Sequence, residues 1–274
     1  MEDTQLPGGP TDRGGDVSEP AAGGRLVGSD RVLAVLKELA RYPGGVGLEE
    51  LTRVIGSPKP TVHRALGALR RAGLAGQDAR GRYLLGDEFL RMAFAHHEAR
   101  PEHVRIRPVL EALARRFGET AHYAVLDGRE IVYRAKVDPP TGAVRLTSTI
   151  GGRNPAHATA VGKLLLAHRL DTLEAVRDWI GDSPLEPRTR HTCRTAEALH
   201  SELRTVTEQG YALDDQENEP GVNCLAVPVY AASPTAPSGA VSVSALAYRT
   251  PLRTLAEAAD EIRAALGPLA RPHR

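Results

Sequence analysis

The sequence predicts an α+β protein in which a small three-helix unit with a basic hairpin precedes a larger domain built on a central antiparallel sheet. Three observations carry that expectation. Short amphipathic helical patterns dominate the chain as far as Phe117, and strand-like runs mixed with further helices follow it. Asp127-Gly128 then joins two such alternating runs, a strong signal for a hairpin turn.

Taken in order, residues 1 to 28 are rich in Gly, Pro and acids and nearly lack large apolar side chains. Such a segment buries too little surface to offset ordering, so a disordered tail is expected. From Ser29 to Tyr42, Val32, Val35, Leu36 and Leu39 recur at helical spacing, and Leu48 to Ile55 forms a second short helix with Leu51, Val54 and Ile55 inward. Gly56 separates it from GSPKPTVHRALGALRRAGL, residues 56 to 74. Within that stretch Val62, Ala65, Leu66 and Leu69 lie at i, i+3, i+4 and i+7, one face of a third helix that must be buried. Ser57 is expected to cap this helix, with Pro58 at its first position. Pro60 is tolerable because a first-turn N–H has no intrahelical partner to lose. Gly73 is a natural stop.

Arg80 to Leu85 reads as a turn and strand carrying two more arginines, which completes a winged helix-turn-helix over residues 29 to 86. From Arg53 to Arg82, seven cations stand against Asp78 alone, a local net charge of +6 in a chain whose total is only +1. Duplex DNA suits that concentration. Neutralised phosphates release counterions, and side chains in the first turns of the third helix can reach base edges. The DNA-binding candidates are Ser57, Lys59, Thr61, His63, Arg64 and Arg71 on the helix, with Arg80 and Arg82 on the wing.

Residues 87 to 100 read as a linker helix, with Phe89 or Leu90, Met92 or Ala93, and Phe94 or His97 available for an inward face. The domain from 101 to 270 opens with a helix over Val104 to Phe117, followed by strands at Ala121 to Leu126, Glu130 to Lys136 and Val144 to Thr149. A loop, GGRNPAH, leads to a helix from Thr159 to His168. Helices at Leu173 to Ile180 and Ala196 to Gln209, strands at Tyr211 to Leu213, Cys224 to Tyr230 and Ala240 to Leu246, and a last helix from Leu255 to Leu266 complete it.

Several function classes are disfavoured. Gly162-Lys163 suggests a phosphate loop, but the glycine expected five residues earlier is His157 and no Ser or Thr follows the lysine. Cys193 and Cys224 are the only cysteines, and the closest histidines, His96 and His97, are adjacent and face apart on a helix, so neither a disulfide framework nor a metal site is expected. No cofactor is called for. No stretch has the length of a membrane span and no signal peptide is evident, so a cytoplasmic protein without membrane partners is expected.

Six segments in one order carry a family resemblance: SDRVLAVLKELA, SPKPTVHRALGALRRAGL, RYLLG, NPAHATAVGKLLLA, GYALDDQENEPGVNCLAVPV and AVSVSAL. Over residues 29 to 268 the chain resembles the IclR (isocitrate lyase regulator) type of transcriptional regulator. The resemblance implies a GAF-like effector-binding domain after the linker helix, assembly as homodimers or homotetramers on palindromic operators, and a small organic acid or aromatic metabolite as effector. The matching effector positions are Ala160, Val161, Asp214, Cys224, Ser242 and Ser244, with Leu146, Asn154 and Val222 as wall positions. Helix N-terminal N–H groups and two serine hydroxyls suit a carboxylate, which would meet Asp214 through its main-chain N–H. Pro60 departs from the family, where Ser is usual, and removes a hydroxyl from the DNA face. Asn154, at an often apolar wall position, implies a more polar effector. The alternative expectation is a hydrolase-like enzyme with Cys224 as nucleophile and His157 or Asp214 as its partner.

Overall fold

The computed structural model describes residues 28–98, 101–140, 146–231 and 235–271. The expected disordered tail, apart from Gly28, lies outside them. The chain divides into two compact units after Ala95.

The first unit is built from α1 (Gly28–Leu39), α2 (Leu48–Ile55) and α3 (Lys59–Arg71), followed by the hairpin β1 (Ala75–Gln77) and β2 (Tyr83–Leu85). Val46 adds one rung to the hairpin, exchanging both backbone hydrogen bonds with Tyr83 at 2.8 Å. The apolar stripe read for α3 is the core of the unit, with Val62, Ala65, Leu66 and Leu69 all buried beside Val35, Leu39, Leu51 and Tyr83. Gly56 closes α2 at φ 63°, where its N–H reaches the carbonyl of Thr52 and a side chain would be strained.

Two expectations fail here. Ser57 does not cap α3: the capping position is Pro58, no side chain bonds to the free N–H groups, and Pro60 occupies the first turn. The stiff Pro58 ring sets the chain's entry, so the helix begins one residue later than a serine cap would place it. Val54 is 44% exposed, because Leu51 and Ile55, four apart, already fill the inward face of so short a helix. α4 (Asp87–Glu98) follows the hairpin, with Phe89 half-buried and Leu90, Met92 and Phe94 exposed.

The second unit holds a six-stranded antiparallel sheet in the order β5-β4-β3-β8-β7-β6. Its strands are β3 (Thr120–Asp127), β4 (Glu130–Val137), β5 (Arg153–Pro155), β6 (Ala212–Asp215), β7 (Val222–Val229) and β8 (Gly239–Leu246). The Asp127-Gly128 turn joins β3 to β4 as the sequence requires, with Asp127 paired to Glu130. One face packs on α5 (Pro101–Phe117), α9 (Leu252–Glu257) and α10 (Ala259–Ala265) through Leu110, Leu113, Val227, Val243 and Ile262. The opposite face packs on α6 (Ala160–Ala167), α7 (Leu173–Ile180) and α8 (Ala196–Gln209) through Ala124, Leu164, Leu199 and Ala226.

Three details differ from expectation. Residues 146 to 149 form no strand, and the rest of that expected strand lies outside the described residues. The edge strand is instead Arg153–Pro155 in the segment read as a loop, because an edge position tolerates the missing donor of Pro155. The last helix is divided at Ala258 into α9 and α10.

Candidate functional site

The outer surface of α3 is the first candidate. Lys59, Pro60, His63, Arg64, Arg70 and Arg71 are exposed, Ser57 and Thr61 are half-buried, and the buried stripe lies opposite. Among the described residues Arg64, Arg70, Arg71 and Arg80 have no ion-pair partner. Lys59 is held 3.1 Å from Glu49 on α2.

On the wing, Asp78 accepts the backbone N–H groups of Arg80 at 3.0 Å and Arg82 at 2.8 Å, and its second oxygen accepts Arg82 Nε at 3.0 Å. These donors, the Arg82 N–H foremost, hold the carboxyl below its ordinary range. The only acid of the basic stretch therefore shapes the turn that presents Arg80.

The second candidate is a cavity of about 210 Å³ in the sheet's α6 side. All nine effector residues read from the sequence line it: Leu146, Asn154, Ala160, Val161, Asp214, Val222, Cys224, Ser242 and Ser244. Strand register explains how distant segments meet. Asp214, Cys224 and Ser244 are successive partners across β6, β7 and β8, while Ser242 lies directly opposite His122 on β3.

The helix that contributes Ala160 and Val161 is capped by the Thr159 hydroxyl, which accepts the Gly162 N–H at 3.0 Å. The N–H groups of Ala160 and Val161 precede the first intrahelical donor, so they are left for a ligand. Gly162 lets the helix lie against Ala156, whose backbone a Cβ would strike. Lys163 turns away from the cavity and is buried against Glu217 and, at 3.2 Å, Glu202. Burial opposes its charge, but the two acids hold the ammonium above its ordinary value. This ion cluster, not a phosphate, is the business of the glycine-lysine pair.

Of the lining residues that the sequence reading did not assign to the effector site, His122, Tyr133 and Arg188 bear most on its chemistry. His122, 2% exposed, bonds Ser148 Oγ through Nε2 at 2.8 Å and Ser244 Oγ through Nδ1 at 3.4 Å. Burial, reinforced by the Lys136 charge, pulls this imidazole down to about 3, so it is neutral near pH 7 and offers one donor and one acceptor. The Tyr133 hydroxyl accepts Asn154 Nδ2 at 3.2 Å, and its ring sits 4.8 Å from that of His122. Arg188 reaches the cavity from the segment between α7 and α8. His122 and Tyr133 look like ordinary strand residues, and Arg188 has neither period nor motif to single it out.

Asp214 is 2% exposed, and one oxygen caps the following turn by accepting the N–H groups of Glu217 at 2.7 Å and Asn218 at 3.4 Å. Burial, and then the Glu217 charge, push the carboxyl up to about 7. The Cys224 thiol, bonded to Ser244 Oγ at 3.1 Å, is raised well above its ordinary value by enclosure and then by Asp214. A thiol so enclosed is held away from the thiolate form that a nucleophile uses. His157, its other suggested partner, is bonded instead to the Glu186 carbonyl at 3.0 Å.

Comparison with known proteins gives a consistent picture. Residues 103–269 match the family model described as the bacterial transcriptional regulator IclR C-terminal domain, and residues 29–79 match the IclR helix-turn-helix domain. The chain is 34% identical over 211 residues to the HTH-type transcriptional regulator XynR of Escherichia coli (strain K12), covering 73% of this chain and 79% of that protein. It is 30% identical over 203 residues to the Pca regulon regulatory protein of Pseudomonas putida, covering 74% and 69% respectively. An IclR homolog from Microbacterium hydrocarbonoxydans, solved in complex with 4-hydroxybenzoate, has the same fold with a TM-score of 0.68 at 22% identity, over 86% of this chain and 98% of that one.

Proposed function

Because the chain belongs to the IclR family of bacterial transcriptional regulators, we propose that it binds a palindromic operator as a homodimer or homotetramer in the cytoplasm, and that a small carboxylate metabolite in the cavity controls that binding without being turned over. The observation that carries this reading is the convergence of nine residues from separate segments on one cavity of about 210 Å³, room for a small acid. Ala160 and Val161 offer N–H groups and Ser242 and Ser244 offer hydroxyls to the carboxylate. Leu146, Asn154, Val222 and Cys224 shape the walls, and Asp214 sets the turn beside them. Lys59, Thr61, His63 and Arg64 meet base edges or nearby phosphates, and Ser57, Arg71, Arg80 and Arg82 meet the backbone. No described helix is long and apolar enough to cross a membrane.

The test uses the full chain and a duplex selected by it from a random DNA pool, followed by fluorescence anisotropy. 4-Hydroxybenzoate, the ligand of the Microbacterium homolog, is the first probe, and other small acids follow. Ser242→Ala with Ser244→Ala should leave DNA affinity unchanged and abolish the response to the acid that acts on the wild type. A double variant that responds like the wild type would overturn the effector assignment, and a pool that yields no enriched sequence would overturn operator recognition.

A further inference from the structure

The proposed effector is an anion, yet the nine residues read for it include no cation, and Asp214 and Glu219 line the same cavity. A buried anion beside acids needs a counter-charge. Among the described residues two arginines line the cavity, Arg153 and Arg188. Arg153 is already committed to Asp127 at 2.5 Å and Glu130 at 3.0 Å. Lys136, which holds the carbonyls of Leu146 and Ser148, is likewise paired with Asp138 at 3.2 Å. Arg188 has one acidic partner, Glu186 at 3.2 Å, and the two side chains are 38% and 59% exposed, so that pair exchanges readily for a better one.

The segment carrying Arg188 is fixed at both ends. Arg129 donates to the Ser183 carbonyl at 3.0 Å, and the Glu186 carbonyl is bonded to His157, three residues before the start of α6. On the far side Thr189 and Thr192 each donate, at 2.7 Å, to the carbonyls of Gln216 and Glu217 in the turn that Asp214 caps. The Arg188 N–H itself donates to Thr192 Oγ1 at 3.2 Å. Arg188 thus lies on a strap running from the foot of α6 to the Asp214 turn, and it faces the cavity between them.

We propose that Arg188 is the counter-ion for the effector's carboxylate, completing the seat made by the α6 N–H groups and the two serines. The inference rests on the carboxylate reading above and deepens it: the site selects the charged acid over its neutral isostere.

The experiment measures affinity by thermal shift and calorimetry on the full chain. The probes are 4-hydroxybenzoate, benzoate, pyruvate and succinate, each paired with its amide. The wild type should bind at least one acid and reject its amide. Arg188→Ala should weaken that acid about tenfold to a hundredfold, the scale of a lost charge-assisted hydrogen bond. Arg188→Lys should recover part of the loss, since lysine restores charge without the planar fork. If the alanine variant melts lower without ligand, Arg188→Gln replaces it, and the acid-to-amide affinity ratio reads charge alone. A ratio unchanged from the wild type would overturn the Arg188 assignment and leave the carboxylate site standing. A wild type that binds none of the acids would overturn both.

Discussion

In the first unit the candidate functional side chains stand outside a helix whose inner face is the core, whereas in the second they line a cavity. The same α3 turn that buries Val62 exposes His63 and Arg64, so the core residues and the proposed DNA contacts are different residues. Around the cavity the division is lost. Asp214 both lines the cavity and caps a turn, and β8 alternates Ser242 and Ser244 toward the cavity with Val241 and Val243 toward the other core. Substitutions should therefore separate folding from binding in the first unit and mix them in the second.

The largest effect should come from Lys163. Its removal leaves Glu217 buried without a counter-charge, and Lys163→Met should cost about 3 to 5 kcal/mol, as breaking one side of a buried ion pair does. Urea unfolding of the full chain, followed by the fluorescence of Trp179, the single tryptophan, reports on this unit. A loss below about 1 kcal/mol would mean that the cluster is open to water and that site and core are less entangled than described.

A second effect is in pH. Asp214 titrates near 7 when folded against 3.8 as a free side chain, so between those values the folded state holds the extra proton. Its contribution is fully present below pH 3.8 and is lost as pH rises to about 7, with a limiting slope of about 1.4 kcal/mol per pH unit. His122 works in the opposite sense: with a folded value near 3 against 6.5 free, it makes stability rise between those limits. The two oppose each other where their windows overlap. Asp214→Asn should expose a rise of stability with pH, and His122→Gln should expose a fall. Parallel curves for wild type and both variants would show that neither group is as enclosed as the cavity implies.

The same contrast explains what the sequence made legible. A stripe at 3.6-residue period announces both its buried face and, by subtraction, its cationic one, so α3 and its arginines could be read directly. The hairpin at Asp127-Gly128 was equally plain. The cavity was reachable only through the family resemblance, because periodicity gives a strand's alternation and not its neighbour's register. His122 is placed opposite Ser242 by pairing across strands far apart in sequence. Arg188 is placed by the hydrogen bonds of a strap with no regular structure. The short strand Arg153–Pro155 was hidden because its asparagine and proline speak for a loop, and an edge position overrides that preference.

Arg64→Ala tests the outer face, where it should cost about 1 to 3 kcal/mol on the selected duplex and leave in place the thermal unfolding of the full chain followed by circular dichroism, which sees the helices of the first unit as well. Unaltered affinity would mean that α3 does not present this face to bases. Loss of stability would break the division between folding and contact.

The smallest effect should come from Glu49, whose carboxylate holds Lys59 at 3.1 Å with both side chains largely exposed. The pair adds little to folding, but it occupies one of the first-turn cations and places a negative charge beside the phosphates. Glu49→Gln removes both obstacles at once. Affinity for duplexes of any sequence should rise about two- to fivefold, the range of one exposed pair. The salt dependence should steepen by up to about one counterion as Lys59 becomes free to displace it. The gain should shrink in Lys59→Ala, which leaves no cation to release and keeps only the relief of the negative charge. A gain undiminished there would trace to the lost negative charge alone and would place Lys59 away from the backbone, narrowing the recognition surface to His63, Arg64 and the residues that follow them on α3.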